Sequence, residues 1–219
     1  MVVQENDLIN LLELFPDKPW NWYSVSGNPN LTWDFINNYL YKPWDLSLLS
    51  ENENITWDII INNLDLPWDW DYITGNQNIT WDIINGNPDM PWSWFYMGWN
   101  PNITSHIVSN NMDRPWNWSL LGRNPNISWK FITNNPDLPW DWYWISKNPN
   151  ITWDIICVNP DIPWDWGCIS WNLNISWDII KNNLDKPWDW SGISQHKNIT
   201  WDIILDHKGI PWDWECISI

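Results

Sequence analysis

The sequence has little positive charge: ten Lys and Arg stand against 27 Asp and Glu, a formal net charge of −17. Nucleic-acid binding depends on Lys and Arg contacts to phosphate, and anionic membrane surfaces attract polybasic segments. The charge balance therefore argues against both as partners and favours basic ones. Hydrophobic residues still make up 44% of the chain, which is more than an acidic disordered tail contains.

Targeting and cross-linking signals are also missing. No charged segment followed by an apolar stretch opens the sequence, and no apolar run approaches the roughly 20 residues that span a bilayer. The three cysteines, Cys157, Cys168 and Cys216, form neither an even framework nor a CxxC pair. These absences predict a soluble, unsecreted, cytoplasmic protein with reduced thiols.

Catalytic and metal-binding motifs are absent as well. The three histidines have no repeated partner, and the sequence contains no GxSxG, HExxH or Gly-rich phosphate loop. The many aspartates follow neither the EF-hand nor the RTX calcium pattern. We therefore predict a protein that is not an enzyme and that carries no cofactor or metal. The recurring Asn-x-Thr/Ser triplets are interpreted as helix caps and not as glycosylation sites, because no secretory signal accompanies them.

Tryptophan and proline are abundant, with 27 and 17 copies, and both follow a strict period. A Pro-Trp pair recurs every 24 residues, from Pro19-Trp20 to Pro211-Trp212, without insertion or deletion. A fixed period of about 20 to 50 residues is typical of repeat proteins. We predict a single repeat domain over 1–219. Its nine units are 4–27, 28–51, 52–75, 76–99, 100–123, 124–147, 148–171, 172–195 and 196–219.

Each unit has two similar halves, as in NPNITWDII from Asn148 and NPDIPWDW from Asn159. Alternation in Trp-Asp-Trp favours strands, but the proline in every second half would remove a ladder hydrogen bond from each coil. Helix signals explain the same residues: an Asn or Asp cap two residues before Thr or Pro, proline in the first turn, and Asp near the positive end of the dipole. We predict an all-α fold, an α-solenoid with two short helices per unit, each of about seven to nine residues because the next Asn-Pro ends it. A β-solenoid is the alternative.

Tryptophan is expected to form the core of this fold. Short helices offer few core positions, and each buried tryptophan removes roughly 200 Å² from water. Twenty-four of the 27 tryptophans occupy three recurring positions. Trp140, Trp142 and Trp153 are examples, so we expect these side chains to be buried.

The two ends of the repeat array differ in polarity. Polar residues open the first unit where later units carry Trp and Ile: Gln4, Glu5, Asn6, Asp7 and Asn10. Leu11 and Leu12 are expected to keep the core there. The chain closes on Ile217, Ser218 and Ile219, which predicts an incompletely covered end and end-to-end self-association.

The segments NPNITWDII and PDKPW, with their relatives from Pro16–Trp20 to Pro211–Trp214, carry a family resemblance. The chain resembles the tryptophan-rich repeat proteins that giant DNA viruses of amoebae encode in large families. The resemblance covers essentially the whole chain. It implies an interaction or scaffold protein in an infected host cell or a virion, and it brings no catalytic residue.

The fourth to sixth units break the repeat, and we predict a binding patch there. Ser105 stands where most units carry tryptophan, the only two arginines lie nearby, and aromatic residues occupy variable positions. Such aromatic and arginine side chains dominate binding hot spots. The candidate binding residues are Phe95, Tyr96, Trp99, His106, Arg114, Arg123, Lys130 and Trp144. The alternative is drift in a tolerant repeat, with a neighbouring side chain filling the space at Ser105.

Three functions follow from these patterns. The first is a non-enzymatic repeat scaffold that binds a protein or peptide partner, with a preference for basic partners. The second is a structural protein that assembles end to end in a virion or viral factory. The third is a carbohydrate-binding module, since rows of exposed aromatics stack on sugars.

Overall fold

The computed structural model describes residues 7–217, and the chain divides after Trp116 into two compact parts, which belong to the ranges Met1–Trp116 and Asn117–Ile219. We call them the N-unit and the C-unit and describe each by itself. The predicted single domain over 1–219 stays a prediction. Gln4, Glu5, Asn6, Ser218 and Ile219, on which the end predictions partly depend, lie outside the described residues.

The described residues are all-helical, with seventeen α-helices and one 3₁₀ helix, η1, and no strand. The predicted all-α repeat fold is confirmed and the β-solenoid alternative is wrong. The helices are α1 (Asp7–Leu14), α2 (Trp22–Ser26), α3 (Trp33–Asn38), α4 (Leu46–Glu51), α5 (Trp57–Ile61), α6 (Trp70–Gly75), α7 (Trp81–Gly86), η1 (Tyr96–Trp99), α8 (Ser105–Ser109), α9 (Trp118–Arg123), α10 (Trp129–Asn134), α11 (Trp142–Ser146), α12 (Trp153–Val158), α13 (Trp166–Ser170), α14 (Trp177–Lys181), α15 (Trp190–Ser194), α16 (Trp201–Asp206) and α17 (Trp214–Ile217). Most have five or six residues, fewer than predicted.

Capping starts these helices, although not at the residues that we predicted. Numbering each unit from 1 to 24, the first helix of every unit after the first begins at position 6, after a Thr or Ser at position 5. Thr152, for example, accepts a hydrogen bond from the amide of Ile155. The second helix begins at position 19, after an Asp or Asn cap such as Asp165, except in the fourth unit, where η1 begins at Tyr96. The chain contains no alanine, the best helix former, so caps and packing must sustain helices this short.

Proline lies outside the helices and not in their first turn. Pro163 precedes α13 by three residues, and the amide of Trp164 donates to the carbonyl of Ile162 at 2.7 Å across it. A three-residue turn of this kind suits the fixed φ of proline. The predicted place of the Asp after Trp is correct, since Asp154 lies in the first turn of α12.

Aliphatic residues, and not tryptophan, form the fully buried core. Position 4 has no exposed surface in seven consecutive units, from Leu31 to Ile175, and position 22 is similar, with Ile73 and Ile145 at 0% exposure. At the start of the chain Leu12 is buried as predicted, but Leu11 is 44% exposed.

The tryptophans form a second layer beside the aliphatic core, in which five of the position 17 side chains, Trp164 among them, are buried. Trp164 at position 17 lies between Trp129 (position 6) and Trp142 (position 19) of the preceding unit, with ring centroids 5.7 and 5.6 Å away. Its indole nitrogen donates to the carbonyl of Asn159 at 2.9 Å. Position 6 and 19 tryptophans are mostly half-buried. The prediction that Trp140, Trp142 and Trp153 are buried is therefore wrong: each is partly exposed.

Phenylalanine replaces isoleucine at position 8 only in two units, at Phe35 and Phe131. The units before these two carry Ile9 and Ser105, and not tryptophan, at position 6. Each phenylalanine lies edge-to-face against the position 17 tryptophan of its own unit, at 6.2 and 6.0 Å. The phenylalanine ring thus replaces the contact that a position 6 tryptophan of the preceding unit makes with the position 17 tryptophan elsewhere.

Buried asparagines tie consecutive units together at position 1. In the C-unit the side-chain amide of Asn148 donates to the carbonyls of Asn124 and Ile127 in the preceding unit, and to that of Gly122 near the end of the unit before it. Its oxygen accepts the amide of Asn150. The N-unit repeats the arrangement at Asn100. Because every strong donor and acceptor is paired, burying these polar groups costs little.

Candidate functional site

A surface that varies strongly between units lies at the end of each second helix. Position 24 reads Gly27, Glu51, Gly75, Trp99, Arg123, Lys147, Trp171 and Gln195 along the chain. The neighbouring position 1 is Asn in seven of the nine units. The nearly constant asparagines of position 1 therefore lie next to surface residues at position 24 that change from unit to unit.

In the N-unit this surface forms a groove with a volume of about 390 Å³, which we call the acidic groove. Its lining includes Gly27, Glu51, Glu53, Gly75 and Gln77, above the buried asparagines of position 1. Glu51 and Glu53 are both exposed, and Glu53 accepts a hydrogen bond from the Gln77 amide at 3.3 Å. Two exposed carboxylates thus line a shallow channel.

Glycine keeps the acidic groove open. No described glycine has a positive φ, so backbone conformation does not require glycine here. A Cβ at Gly75 would meet no atom within 4 Å, and one at Gly27 would meet only Leu48 at 3.5 Å. Because Gly27 and Gly75 have no side chain, the groove has room for a ligand, and larger residues at these two positions would fill that space.

In the C-unit the same repeat positions form a groove of about 320 Å³, the basic groove, lined by Arg123, Lys147, Cys168, Trp171 and Asn172. Residues of α9, α11 and α13 build it. The chemistry is opposite to that of the acidic groove, since two cations and an indole replace carboxylates and glycines.

Aromatic rings fix the two cations of the basic groove. The Arg123 guanidinium lies 5.5 Å from the Trp144 ring centroid, and the Lys147 ammonium lies 5.2 Å from the same ring. Lys147 also donates to the Tyr143 hydroxyl at 2.7 Å. Cation–π contacts hold long side chains in place without neutralising their charge. The two cations therefore line the basic groove with positive charge.

Cys168 in the basic groove has the features of a poor nucleophile. Its side chain is 2% exposed, and burial, followed by its hydrogen bond with Asp165, raises the pKa of the thiol to about 12. A thiol that stays protonated at neutral pH attacks poorly. Cys157 and Cys216 are also free of disulfide bonds.

An aromatic cluster lies on η1 and the residue before it. Phe95 and Trp99 are 55% and 46% exposed, and both rings contact Tyr96, at 5.3 and 5.5 Å. Tyr96 also lies 6.0 Å from Tyr72 of the preceding unit. Burial, then Tyr96 and Glu51, raises the pKa of Tyr72. This cluster is a second exposed feature of the N-unit.

The structure brings the predicted binding residues into separate groups. Phe95, Tyr96 and Trp99 form one cluster, and Arg123 contacts Trp144 in the C-unit. The other three lie elsewhere. His106 is exposed on α8 with its ring 3.0 Å from the Asn110 amide, and Lys130 is exposed on α10. Arg114, in the loop after α8, lines a different cavity of about 300 Å³ with Trp81, Trp92 and Trp94.

Sequence reasoning found only part of the groove lining. Trp99 and Arg123 at position 24 were predicted, but Glu51, Gly75 and Lys147 at the same position and Glu53 at position 2 were not. The signal was present, because position 24 carries acidic, basic, aromatic and small residues in turn. Comparing charge at each position across the nine units would have found it.

The chain matches no protein-family model, no curated protein and no solved structure. Within residues 7–217, no three His, Cys, Asp or Glu side chains are grouped so that they could hold a metal ion. None of the helices in that range is long and apolar enough to cross a membrane.

Proposed function

We propose that the protein is a non-enzymatic repeat scaffold that binds a protein or peptide partner, with a basic segment of the partner lying in the acidic groove. The observation that supports this most is the changing lining of position 24 above constant asparagines. Repeat proteins use such stacked surfaces to bind extended partners.

Charge favours a basic partner for the N-unit. Met1–Trp116 carries fifteen Asp and Glu against three Lys and Arg, so its field attracts cations from a distance. At short range Glu51 and Glu53 offer carboxylate oxygens to lysine or arginine. Binding should therefore be faster and tighter at low salt.

The aromatic cluster extends the same line of positions, since Trp99 occupies position 24 of the unit that follows Gly75. Its exposed surface, with that of Phe95, offers ring faces to an arginine or lysine of the partner. The aromatic cluster could therefore contact the same basic segment of the partner that binds the carboxylates of Glu51 and Glu53.

The test is fluorescence anisotropy with a labelled peptide of alternating lysine and glycine, alongside glutamine–glycine and glutamate–glycine peptides. The full chain should bind the lysine peptide most tightly. The double variant Glu51→Lys/Glu53→Lys should lose about tenfold or more in affinity, since each reversal replaces an attraction by a repulsion of roughly 0.2–1 kcal/mol.

The matched control is Asp65→Lys/Asp89→Lys, which changes net charge equally in exposed loops at position 14. It should lose clearly less affinity than the groove variant. A steric variant, Gly75→Leu, should fold normally and weaken binding without any change of charge. Equal losses in the two charge variants, or no preference for the lysine peptide, would show that the acidic groove is not the binding site.

Other predictions about function stay predictions. The resemblance to viral tryptophan-rich repeat proteins implies a partner in an infected cell, and affinity capture from such cells with mass spectrometry would identify it. Cytoplasmic localisation belongs to the same proposal. Carbohydrate binding by Phe95 and Trp99 is the alternative, and glycan-array binding that their alanine variants abolish would support it.

A further inference from the structure

The tryptophan layer forms a joint between consecutive units. The tryptophans at positions 6 and 19 of one unit form a notch, and the position 17 tryptophan of the next unit fills it. In the last joint of the C-unit, Trp212 lies 5.3 Å from Trp177 and 5.7 Å from Trp190, with the rings inclined at 35° and 82°. Trp212 is only 4% exposed as a result.

The last unit carries a notch that no tryptophan of the described residues fills. Trp201 and Trp214, at positions 6 and 19, are 63% and 61% exposed, and neither has another aromatic ring against it within residues 7–217. A cavity of about 300 Å³ lies beside Trp201. It is lined by Ile199 and Ile204, which occupy positions that are buried in the preceding unit.

The first unit carries the complementary element. Trp20 occupies position 17, and its indole nitrogen donates to the Phe15 carbonyl at 2.9 Å, as in every other unit. Within the described residues no aromatic ring contacts Trp20. Leu14 and Phe15 beside it are 71% and 47% exposed. The first unit thus presents a correctly oriented tryptophan on an apolar surface.

We propose that this chain self-associates head to tail, with Trp20 of one copy filling the notch between Trp201 and Trp214 of a second copy. The same joint connects consecutive units within the N-unit and within the C-unit, so its geometry is already built into the chain. The two surfaces differ, which makes the contact heterologous. Such a contact adds copies until a ring closes or the chain of copies remains open.

Salt separates this association from partner binding in the grooves. The joint is apolar, and two copies of net charge −17 repel each other at a distance. Added salt screens that repulsion, so self-association should strengthen with ionic strength. Binding of a basic peptide in the acidic groove should weaken under the same change. The two proposals can therefore fail independently.

The test is sedimentation velocity of the full 219-residue chain over a concentration series. The native chain should form oligomers whose mass rises with concentration. Trp20→Ala should remain monomeric, and so should the double variant Trp201→Glu/Trp214→Glu. The matched control is Val158→Glu/Leu173→Glu, which introduces the same charges at side chains that are 75% and 72% exposed. It should associate as the native chain does, apart from the added repulsion.

Mixing the two monomeric variants gives the sharpest result. Trp20→Ala keeps an intact notch, and Trp201→Glu/Trp214→Glu keeps an intact Trp20, so the mixture should form a 1:1 dimer that cannot grow. If Trp20→Ala fails to fold by circular dichroism, the notch variant decides alone, because its substituted side chains are exposed. A native chain that stays monomeric at every concentration, or a notch variant that associates like the control, would overturn the proposal.

Discussion

The acidic groove and the basic groove occupy the same repeat positions, yet their linings have opposite charge. In the N-unit position 24 supplies two glycines and Glu51, whereas in the C-unit it supplies Arg123, Lys147 and Trp171. The asparagines beneath both grooves make equivalent hydrogen bonds: Asn76 donates to the carbonyls of Ser50 and Asn52, and Asn172 donates to those of Ser146 and Asn148. The interior residues therefore set the geometry and position 24 sets the charge, so the two can change independently.

If the N-unit and the C-unit share one scaffold, truncating the same core position should lower the free energy of unfolding equally in both. Ile79 and Ile151 both occupy position 4 with 0% exposure. Ile79→Ala and Ile151→Ala should each lower the free energy of unfolding by about 2–5 kcal/mol, through lost burial and a cavity. Urea unfolding followed by far-ultraviolet circular dichroism measures both. A large loss in one variant and none in the other contradicts a common scaffold.

Removing the buried asparagines of position 1, which we call the asparagine ladder, should cause the next largest loss of stability. Asn100→Ala and Asn148→Ala each leave buried carbonyls without their donor, which costs about 1–3 kcal/mol. The same urea experiment applies, with Asn110→Ala as an exposed control. Losses no larger than that of the control would show that the ladder does not stabilise the joints between units.

The basic groove should show the reverse preference to the acidic one. Arg123→Glu/Lys147→Glu should weaken binding of a glutamate–glycine peptide by about tenfold, because cations fixed on rings are replaced by carboxylates. Anisotropy titration measures the change. Lys130→Glu/Lys208→Glu, at exposed sites outside the groove, alters net charge equally and should have a smaller effect. Equal losses of affinity in the two variants would show that overall charge, and not the basic groove, determines binding of this peptide.

A smaller, pH-dependent difference should come from His196, which replaces asparagine at position 1 of the last unit. The side chain is 6% exposed, and its Nε2 atom has no hydrogen-bond partner among the described residues. Burial lowers the pKa of His196, although hydrogen bonds to the backbone of Ser170 and Ile175 act in the opposite direction. The charged form is therefore less favourable in the folded chain than in the unfolded one.

Because the folded pKa lies below the unfolded value of about 6.5, the unfolded chain binds the proton first as pH falls. Stability should thus be full above the unfolded pKa and should decline as pH drops through it. His196→Asn should remove this decline. The unfolding free energies of both chains, measured by urea between pH 7.5 and pH 5.5, give the answer; parallel pH profiles would contradict the assignment to His196.

Much of the fold could be predicted from the sequence, because the 24-residue period and the paired helix-start signals are explicit. The caps were misplaced because Thr152 and the asparagine two residues before it can both cap a helix. Only the structure shows that Asn150 instead donates to carbonyls of the preceding unit. The burial of tryptophan was overestimated because abundance indicates importance but does not say which layer a side chain occupies.

The candidate site was less predictable, for a physical reason. Unusual residues such as His106 and Lys130 attract attention in a repeat, but they lie on first helices, away from position 24. The acidic groove depends on glycines and on ordinary glutamates, which stand out only when the helix ends are placed in space. Trp144 was identified, but its role as the ring beneath Arg123 and Lys147 required the structure.

Hydrogen exchange with peptide present tests most directly whether one scaffold carries two grooves of opposite charge. The full chain is exchanged alone, with the lysine–glycine peptide and with the glutamate–glycine peptide, and is then read by mass spectrometry. The lysine peptide should slow exchange at the ends of α4 and α6, and the glutamate peptide at the ends of α9, α11 and α13. Protection of the same segments by both peptides, or of first helices instead, would contradict the account.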